Sequence, residues 1–334
     1  MSAIKLAIDF GSSYTNIYML GGGLVLSEPT VAGVAQDGKQ EVKVVGDEAK
    51  KLIGKTAKNT KIVFPVFEGE IVNEKVATGL LSEFLRKIEV KNSVLGCEAV
   101  FSVPCGATLS MLDKYKKLAR SCGISKVYFV EAPLLSALGQ RIPLNDSSPC
   151  FIIDMAGGVT NVAAVSLDGV IAGISANFGA NKICTDIIDY LAEKHGIQVG
   201  LLTAERLKND IGSLDCLDVL ATVVNGRDVK TGAPKSINIV AKDILEPIQK
   251  YFDKVAELAL AVLKKLPPEV SAEIRHAGVY VGGLGSTVHG LGTYFENIFD
   301  IKINVAENGL MAVALGGGTV VSDKDLRQKI ALPV

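Results

Sequence analysis

Residues Ile8-Asp9-Phe10-Gly11-Ser12-Ser13-Tyr14-Thr15-Asn16 recur in altered form as Ile153-Asp154-Met155-Ala156-Gly157-Gly158-Val159-Thr160-Asn161. In both stretches an Asp closes an apolar run and small residues follow. Thr and Asn then arrive six and seven residues after that Asp. A second apolar run begins at once, Ile17-Tyr18-Met19-Leu20 in one copy and Val162-Ala163-Ala164-Val165 in the other. This pattern predicts a strand, a tight polar turn and a returning strand, used twice. Two similar domains facing each other would each offer a backbone-rich loop to one shared ligand.

The rest of the chain follows an α/β order with a hairpin-led sheet in each half. Leu24 to Leu26 completes the first meander, and residues 30–47 read as a hairpin around Asp37-Gly38. Short and long helices are expected over 47–53 and Asn73 to Ile88, the second with Val76, Leu80, Leu81, Phe84, Leu85 and Ile88 on one face. Ala99 to Val103 and Lys126 to Val130 read as strands. Thr108 or Ser110 caps the helix between them. Beyond the polar linker Pro143 to Pro149, helices are expected over Lys182 to Lys194 and from a Thr203 cap to Ile211. Residues 219–241 alternate like strands around Asn225-Gly226 and Thr231-Gly232, and Lys242 to Leu266 reads as a long amphipathic helix. Val279 to Val281 is a short strand, and a last helix starts near Leu310. The expected division is 1–145 and 146–334. Small subdomains are inserted at about 32–72 and 181–243, and the helix from about 310 returns to the first domain.

Bulk properties exclude several classes. The chain has 334 residues, enough for two domains and a sizeable core. A formal charge of −1 gives no field for nucleic acid, so no nucleic-acid partner is expected. Six cysteines are scattered without a C-x-x-C pair, as reduced core thiols in a cytoplasmic protein would be. Three His, none at ligand spacing from a Cys, argue against a zinc site. The start does not resemble a secretory leader, and no uncharged apolar run reaches the ~18 residues that a membrane span needs.

Three small-residue turns follow strands: Asp9 to Ser13, Asp154 to Gly158, and Gly282-Gly283-Leu284-Gly285-Ser286. Short side chains let consecutive backbone N–H groups approach an anion, and Ser12 and Ser13 add hydroxyls. Asp9 and Asp154 suit a hydrated Mg²⁺, which keeps its waters and needs few direct ligands. Any one such turn is also an ordinary strand connection; the matched repeat and the third loop favour phosphate binding. No G-x-G-x-x-G bridges the first strand and a helix, so a Rossmann dinucleotide site is disfavoured.

These residues resemble the actin-like ATPase superfamily of actin, DnaK-type chaperones and sugar kinases, and within it the MreB bacterial actins. The resemblance covers nearly the whole chain. It is close at Ser27-Glu28-Pro29-Thr30-Val31, Val45-Gly46-Asp47-Glu48-Ala49-Lys50-Lys51, Ser102-Val103-Pro104 and Thr203-Ala204-Glu205-Arg206-Leu207-Lys208. It implies an actin-like ATPase fold of two duplicated ribonuclease-H-like domains with a nucleotide cleft between them. ATP or ADP with Mg²⁺ would be held by Asp9, Gly11, Ser12, Ser13, Tyr14 and Thr15, and by Asp154, Gly157, Gly158, Val159 and Thr160. The metal would be reached through water from Asp9 and Asp154. Glu205 and Lys208 would contact the ribose and adenine side, and Gly282, Gly283, Gly285 and Ser286 would lie under the adenosine. Without the family, Glu205 and Lys208 read as a surface pair on one helix face.

Two departures from the MreB pattern fall on hydrolysis. The Glu that usually precedes the helix-opening Pro and positions the attacking water is Ala132 here. Glu131, one residue earlier, is the nearest candidate catalytic carboxylate beside Asp154. A hydroxyl expected near the γ-phosphate is replaced by Val159. Tyr14, where MreB proteins usually carry Asn, is a third difference. Slow or atypical ATP hydrolysis is therefore expected.

The resemblance also implies a head-to-tail homopolymer with cell-shape or intracellular-organisation roles. It implies a weak contact with the inner face of the cell membrane through Val94 and Leu95 of Lys91-Asn92-Ser93-Val94-Leu95-Gly96. Packing of those two side chains onto a neighbouring helix is the alternative. A non-polymerising DnaK-like switch and a small-molecule kinase of the same fold remain as other readings.

Overall fold

The computed structural model describes residues 3–36, 38–56, 59–90, 96–142, 148–166 and 169–333. The membrane-loop candidates Val94 and Leu95 lie outside them, as does Asp37 of the expected hairpin turn.

The first half opens with an antiparallel meander, β1 (Ile4–Phe10), β2 (Tyr14–Met19) and β3 (Gly23–Pro29). An insert follows: β4 (Ala32–Ala35), β5 (Val42–Val45), α1 (Gly46–Lys51), β6 (Thr60–Val63), and the short hairpin β7 (Val66–Phe67) and β8 (Glu70–Ile71). The chain then alternates helix and strand through α2 (Glu74–Lys87), β9 (Cys97–Val103), α3 (Leu109–Ser121), β10 (Lys126–Glu131) and α4 (Ala132–Gly139).

The second half repeats this plan. Its meander is β11 (Cys150–Met155), β12 (Thr160–Ser166) and β13 (Gly169–Ala176). Its insert is α5 (Asn181–His195), β14 (Ile197–Gln198), α6 (Leu201–Ile211), β15 (Ala221–Asp228) and β16 (Pro234–Val240). The remainder is α7 (Leu245–Leu263), α8 (Pro268–Ala277), β17 (Val279–Gly282), α9 (Leu291–Phe299), β18 (Ile303–Val305), α10 (Ala312–Ser322) and α11 (Lys324–Ile330).

The two large sheets are copies. One has the order β10-β9-β1-β2-β3 and the other β18-β17-β11-β12-β13. In each, two strands run parallel to the first strand of the meander on its other side. The register repeats as well: Asp9 lies opposite Asn16, and Asp154 opposite Asn161. The side-chain period of two explains this precision, because a slip by one residue would turn either Asp to the other face of its sheet.

Local signals behave as their chemistry requires. Asn73 caps α2 by accepting from Val76 N at 3.0 Å, and Thr108, rather than Ser110, caps α3 through Met111 N at 3.3 Å. Two local readings are corrected. Thr203 lies inside the first turn of α6, which starts after Gly200 without a side-chain cap. Asn225 and Gly226 lie within β15, paired with Ser236 and Lys235, and the turn falls beyond Asp228. The preceding strand β14 pairs only with the end of β15, so the ribbon is longer than its turn residues suggest.

The core has three parts. One packs the first sheet against α2 and α3, and another packs the second sheet against α5, α7 and α9. The third joins the halves through Ala7, Val130, Leu135, Ile152, Ala163 and Val320. There α4 and α10 cross, each the helix that follows the last parallel strand of its half. A run of Gly316-Gly317-Gly318 inside a helix costs roughly 1 kcal/mol per residue relative to Ala. Close packing explains it. A Cβ on Gly316 would overlap the Leu135 carbonyl oxygen of α4, and one on Gly317 would stand 2.6 Å from the Ala7 methyl of β1. Gly316→Ala is expected to destabilise the fold by about 1–3 kcal/mol by forcing the two helices apart. Urea denaturation checks this; a variant as stable as the parent would mean that the crossing has slack.

Candidate functional site

The two duplicated turns meet face to face. Gly11 N donates to Tyr14 O at 3.1 Å and closes the first turn. The second turn lies so near that a Cβ on Gly157 would overlap the Ser13 hydroxyl, and one on Gly158 the Ser12 hydroxyl. Glycine is needed there because the opposite turn occupies the space of a side chain. Ser13 Oγ donates to Asn181 Oδ1 at 2.6 Å, and Ser12 Oγ accepts from Gly69 N at 3.1 Å.

Between the turns lies a cavity of about 70 Å³ lined by Asp9, Asp154, Asn16, Ser102, Ala132 and Val159, among others. It adjoins a larger one of about 430 Å³, which shares Ser12, Ser13, Tyr14, Gly157, Gly158 and Leu284. Glu205 and Lys208 of α6 line the larger cavity. Lys208 is only 3% exposed, and among the described residues no carboxylate lies within ion-pair distance of it. A lysine sheltered in the wall of that cavity suits an anion or a polar acceptor in the space.

Asp9 accepts from Ser102 Oγ at 2.6 Å and from Asn16 Nδ2 at 3.5 Å; Asp154 accepts from Asn161 Nδ2 at 3.0 Å. Each Asn also reaches the opposite half. Asn16 Nδ2 donates to Leu310 O at 3.3 Å, and Asn161 Oδ1 accepts from Cys105 N at 3.1 Å. Burial pushes both carboxyls up. Asp154 rises to about 6, with the Asp9 charge adding to the desolvation. Asp9 rises in spite of its bonds to Ser102 and Asn16.

Two buried carboxylates that resist ionisation fit a hydrated divalent cation, whose charge would remove both penalties. Asn16 Oδ1 adds to the fit. It is a buried acceptor with no donor among the described residues, in the wall of the same cavity, and water on a cation supplies donors.

The family model described as MreB/Mbl protein matches residues 3–329. The chain belongs to the MreB/Mbl family. It is 30% identical over 331 residues to the cell shape-determining protein MreB of Escherichia coli (strain K12), covering 98% of this chain and 95% of that protein. It is 28% identical over 327 residues to the cell shape-determining protein Mbl of Bacillus subtilis (strain 168), covering 97% and 98%. Among solved structures, MreB 5 of Spiroplasma citri bound to AMPPNP superimposes with a TM-score of 0.92 at 26% identity, over 99% of this chain and 98% of that one. The MamK double helical filament shares the fold, with a TM-score of 0.82 at 19% identity over 96% and 99%. The fold is that of the actin-like ATPases.

Within this MreB/Mbl frame, the expected site residues divide by position. Asp9, Gly11, Ser12, Ser13, Tyr14, Asp154, Gly157, Gly158, Val159 and Gly283 line the small cavity. Thr15 and Thr160 stand behind the turns: Thr15 Oγ1 bonds Thr30 Oγ1 at 2.9 Å, and Thr160 Oγ1 donates to Phe178 O at 2.9 Å and meets the Tyr251 hydroxyl at 3.1 Å. Gly282 pairs with Asp154 at the end of β17, and Ser286 Oγ donates to Gly283 O at 2.7 Å. Gly285 packs on Met155, so these three residues shape the Gly283 loop without lining either of the two cavities.

Ala132 lines the small cavity, whereas Glu131 accepts from Gly106 N at 2.6 Å and is absent from that lining. The divergence follows from the strand-to-helix junction, where neighbouring side chains point apart. Sequence reasoning left out Asn16, Asn161, Ser102, Asn181 and Lys50. The Asn at offset seven in both copies was a usable signal for the first two. Nothing in local spacing marks the other three, whose partners lie 93, 168 and 155 residues away.

Proposed function

We propose that this MreB/Mbl-family chain binds ATP with Mg²⁺ between its two hairpin turns and polymerises head to tail into filaments that organise the cell, its shape included. The observation that carries the reading is the pair Asp9 and Asp154 facing one small cavity, which opens onto a cleft walled by Lys208 and Glu205. Spiroplasma citri MreB 5 bound to AMPPNP and to ADP supports it, at 26% identity in each case.

In this reading residues 1–145 and 146–334 form the two domains, with inserts at about 32–72 and 181–243. The turns hold the phosphates, and Asp9 and Asp154 hold the waters of the ion. When bound, Mg²⁺ neutralises charge on the terminal phosphates. Glu205 takes the ribose hydroxyls and Lys208 sits on the adenine side. A water-holding carboxylate is missing at Ala132, so hydrolysis is slow. The family resemblance supports a head-to-tail contact, which is heterologous and propagates. Contact with a membrane surface through Val94 and Leu95 belongs to the same proposal. No helix among the described residues is long and apolar enough to cross a membrane.

Calorimetry with AMPPNP and Mg²⁺, followed by light scattering and electron microscopy with ATP, tests the two parts. No uptake would sink the nucleotide site. Uptake without a scattering rise would leave a non-polymerising switch. Lys208→Met is expected to weaken nucleotide binding about tenfold while leaving the fold intact, since one buried polar contact is lost. Equal affinity in the variant would remove Lys208 from the site.

A further inference from the structure

Lys50 ends a short, tethered finger. Helix α1 is six residues long and is fixed at its start. Gly46 N donates to Val31 O at 2.9 Å, and Asp47 N to Glu28 Oε2 at 3.4 Å. The Glu28 carboxylate is held in turn by Lys87 Nζ at 2.6 and 2.7 Å. From this base the Lys50 ammonium reaches across to Glu205 Oε1 on α6 at 2.7 Å. It also donates to the Tyr14 hydroxyl at 3.4 Å and stands 5.4 Å from the centre of that ring.

All three residues line the 430 Å³ cavity. The paired side chains are each 24% exposed, so the bridge is half-sheltered rather than solvated. Burial by itself would lower the Lys50 pKa, but the hydrogen bond and charge of Glu205 reverse that, and the net shift is upward. The bond joins the insert of the first half to the insert of the second. Ser13 and Asn181 form a second side-chain bond between the halves, near the turns.

We propose that Lys50 is a positioning and gating residue of this site: its ion pair with Glu205 straps the two inserts together over the cavity and sets how fast nucleotide enters and leaves. The proposal rests on the nucleotide-binding reading above and adds a separate element to it. With Lys50 in place, the Glu205 carboxylate is held still and the walls stay together. Without it, Glu205 is free to turn and the two inserts have lost one restraint on spreading. A strap that must part before the ligand passes slows both directions, so removing it speeds entry and release together.

The test uses the full chain and a fluorescent ATP analogue with Mg²⁺, chased by excess ATP in stopped flow. Lys50→Met is expected to release the analogue about tenfold faster than the parent. Its affinity should fall less, because entry also quickens, and its melting temperature without nucleotide should stay close to the parent's. The exchanged pair Lys50→Glu with Glu205→Lys re-forms the strap but lacks the Glu205 acceptor. Affinity should stay low and release fast for want of that acceptor, yet release should again quicken with added salt as in the parent, a return that a purely structural role would not give. Raised salt should speed release from the parent more than from Lys50→Met. Normal uptake with unchanged release in Lys50→Met would overturn the gating role alone. No uptake by the parent would overturn the nucleotide reading and the gating role with it.

Discussion

Asp154→Asn is expected to weaken AMPPNP–Mg²⁺ binding a hundredfold or more (about 3 kcal/mol) while making the nucleotide-free protein more stable at neutral pH. The two effects share one cause. Asp154 is buried beside Asp9, and its carboxyl titrates at about 6 instead of the ordinary 3.8. In the unfolded chain the group ionises near 3.8, so between the two values the folded state holds the proton more tightly. Stability from this group is therefore fully present below about pH 4 and is lost as pH rises through about 6. Above that the folded protein carries a buried charge whose cost is on the order of 3 kcal/mol.

Asn removes the charge and keeps an oxygen to accept from Asn161 Nδ2, so the hairpin register should hold. Urea denaturation without nucleotide should show Asp154→Asn ahead of the parent at pH 7. The gap should close as pH falls through 6 and vanish near 4. With Mg²⁺ and AMPPNP the order should reverse, because the parent alone gains from the cation. A variant less stable than the parent at pH 7 in the absence of nucleotide would show that the carboxylate is not under electrostatic penalty there.

That prediction comes from the part of the molecule most legible in its sequence. The duplicated Asp-to-Asn spacing is a register statement, and a strand's period of two leaves little freedom in how it is met. The same spacing placed both meanders, the facing turns and the family. Legibility fell where a residue's role depends on a distant neighbour. Strand β13 has a mixed exposure pattern, since it is the edge of its sheet, and apolar Ile171 and Ile174 lie open to solvent. Its period was therefore blurred. Helices α8 and α9 and strand β18 lie between Pro267 and Leu310, where Val279 to Val281 reads as a strand and Gly278, Gly290 and Gly292 interrupt the apolar period. Asn225-Gly226 has the composition of a turn, yet pairing with β16 keeps it extended. In the site, Lys50 and Glu205 belong to separate inserts, and only the folded chain brings them to 2.7 Å. The glycines of α10 break an apolar run in the sequence, but their reason, the passage of α4 at Gly316, of β1 at Gly317 and of the Tyr18 ring at Gly318, is tertiary.

Under the proposed function, Ala132→Glu is expected to raise phosphate release about a hundredfold, the low end of the range for a positioned proton-accepting group. Ala132 is the first residue of α4, directly before Pro133, and lies in the wall of the cavity shared by Asp9, Asp154 and Val159. Its methyl group offers no acceptor to a water there. Glu131 does not supply one, because its carboxylate lies outside that wall, turned to Gly106 N at 2.6 Å. Thr160 does not replace the hydroxyl missing at Val159 either; its Oγ1 is committed to Phe178 O and the Tyr251 hydroxyl. A carboxylate introduced at residue 132 would stand at a helix N-terminus, which favours negative charge. It would also crowd two acidic groups already pushed up by burial, so the variant should be less stable than the parent until Mg²⁺ and nucleotide are present. Adding Val159→Thr should raise the rate further. Single-turnover phosphate release with matched nucleotide occupancy separates chemistry from binding. Glu131→Ala is the control and should leave the slow parental rate unchanged. A parental rate that is already fast, and is abolished by Glu131→Ala, would mean that the Gly106 contact breaks in the loaded protein and that Glu131 is the acting base.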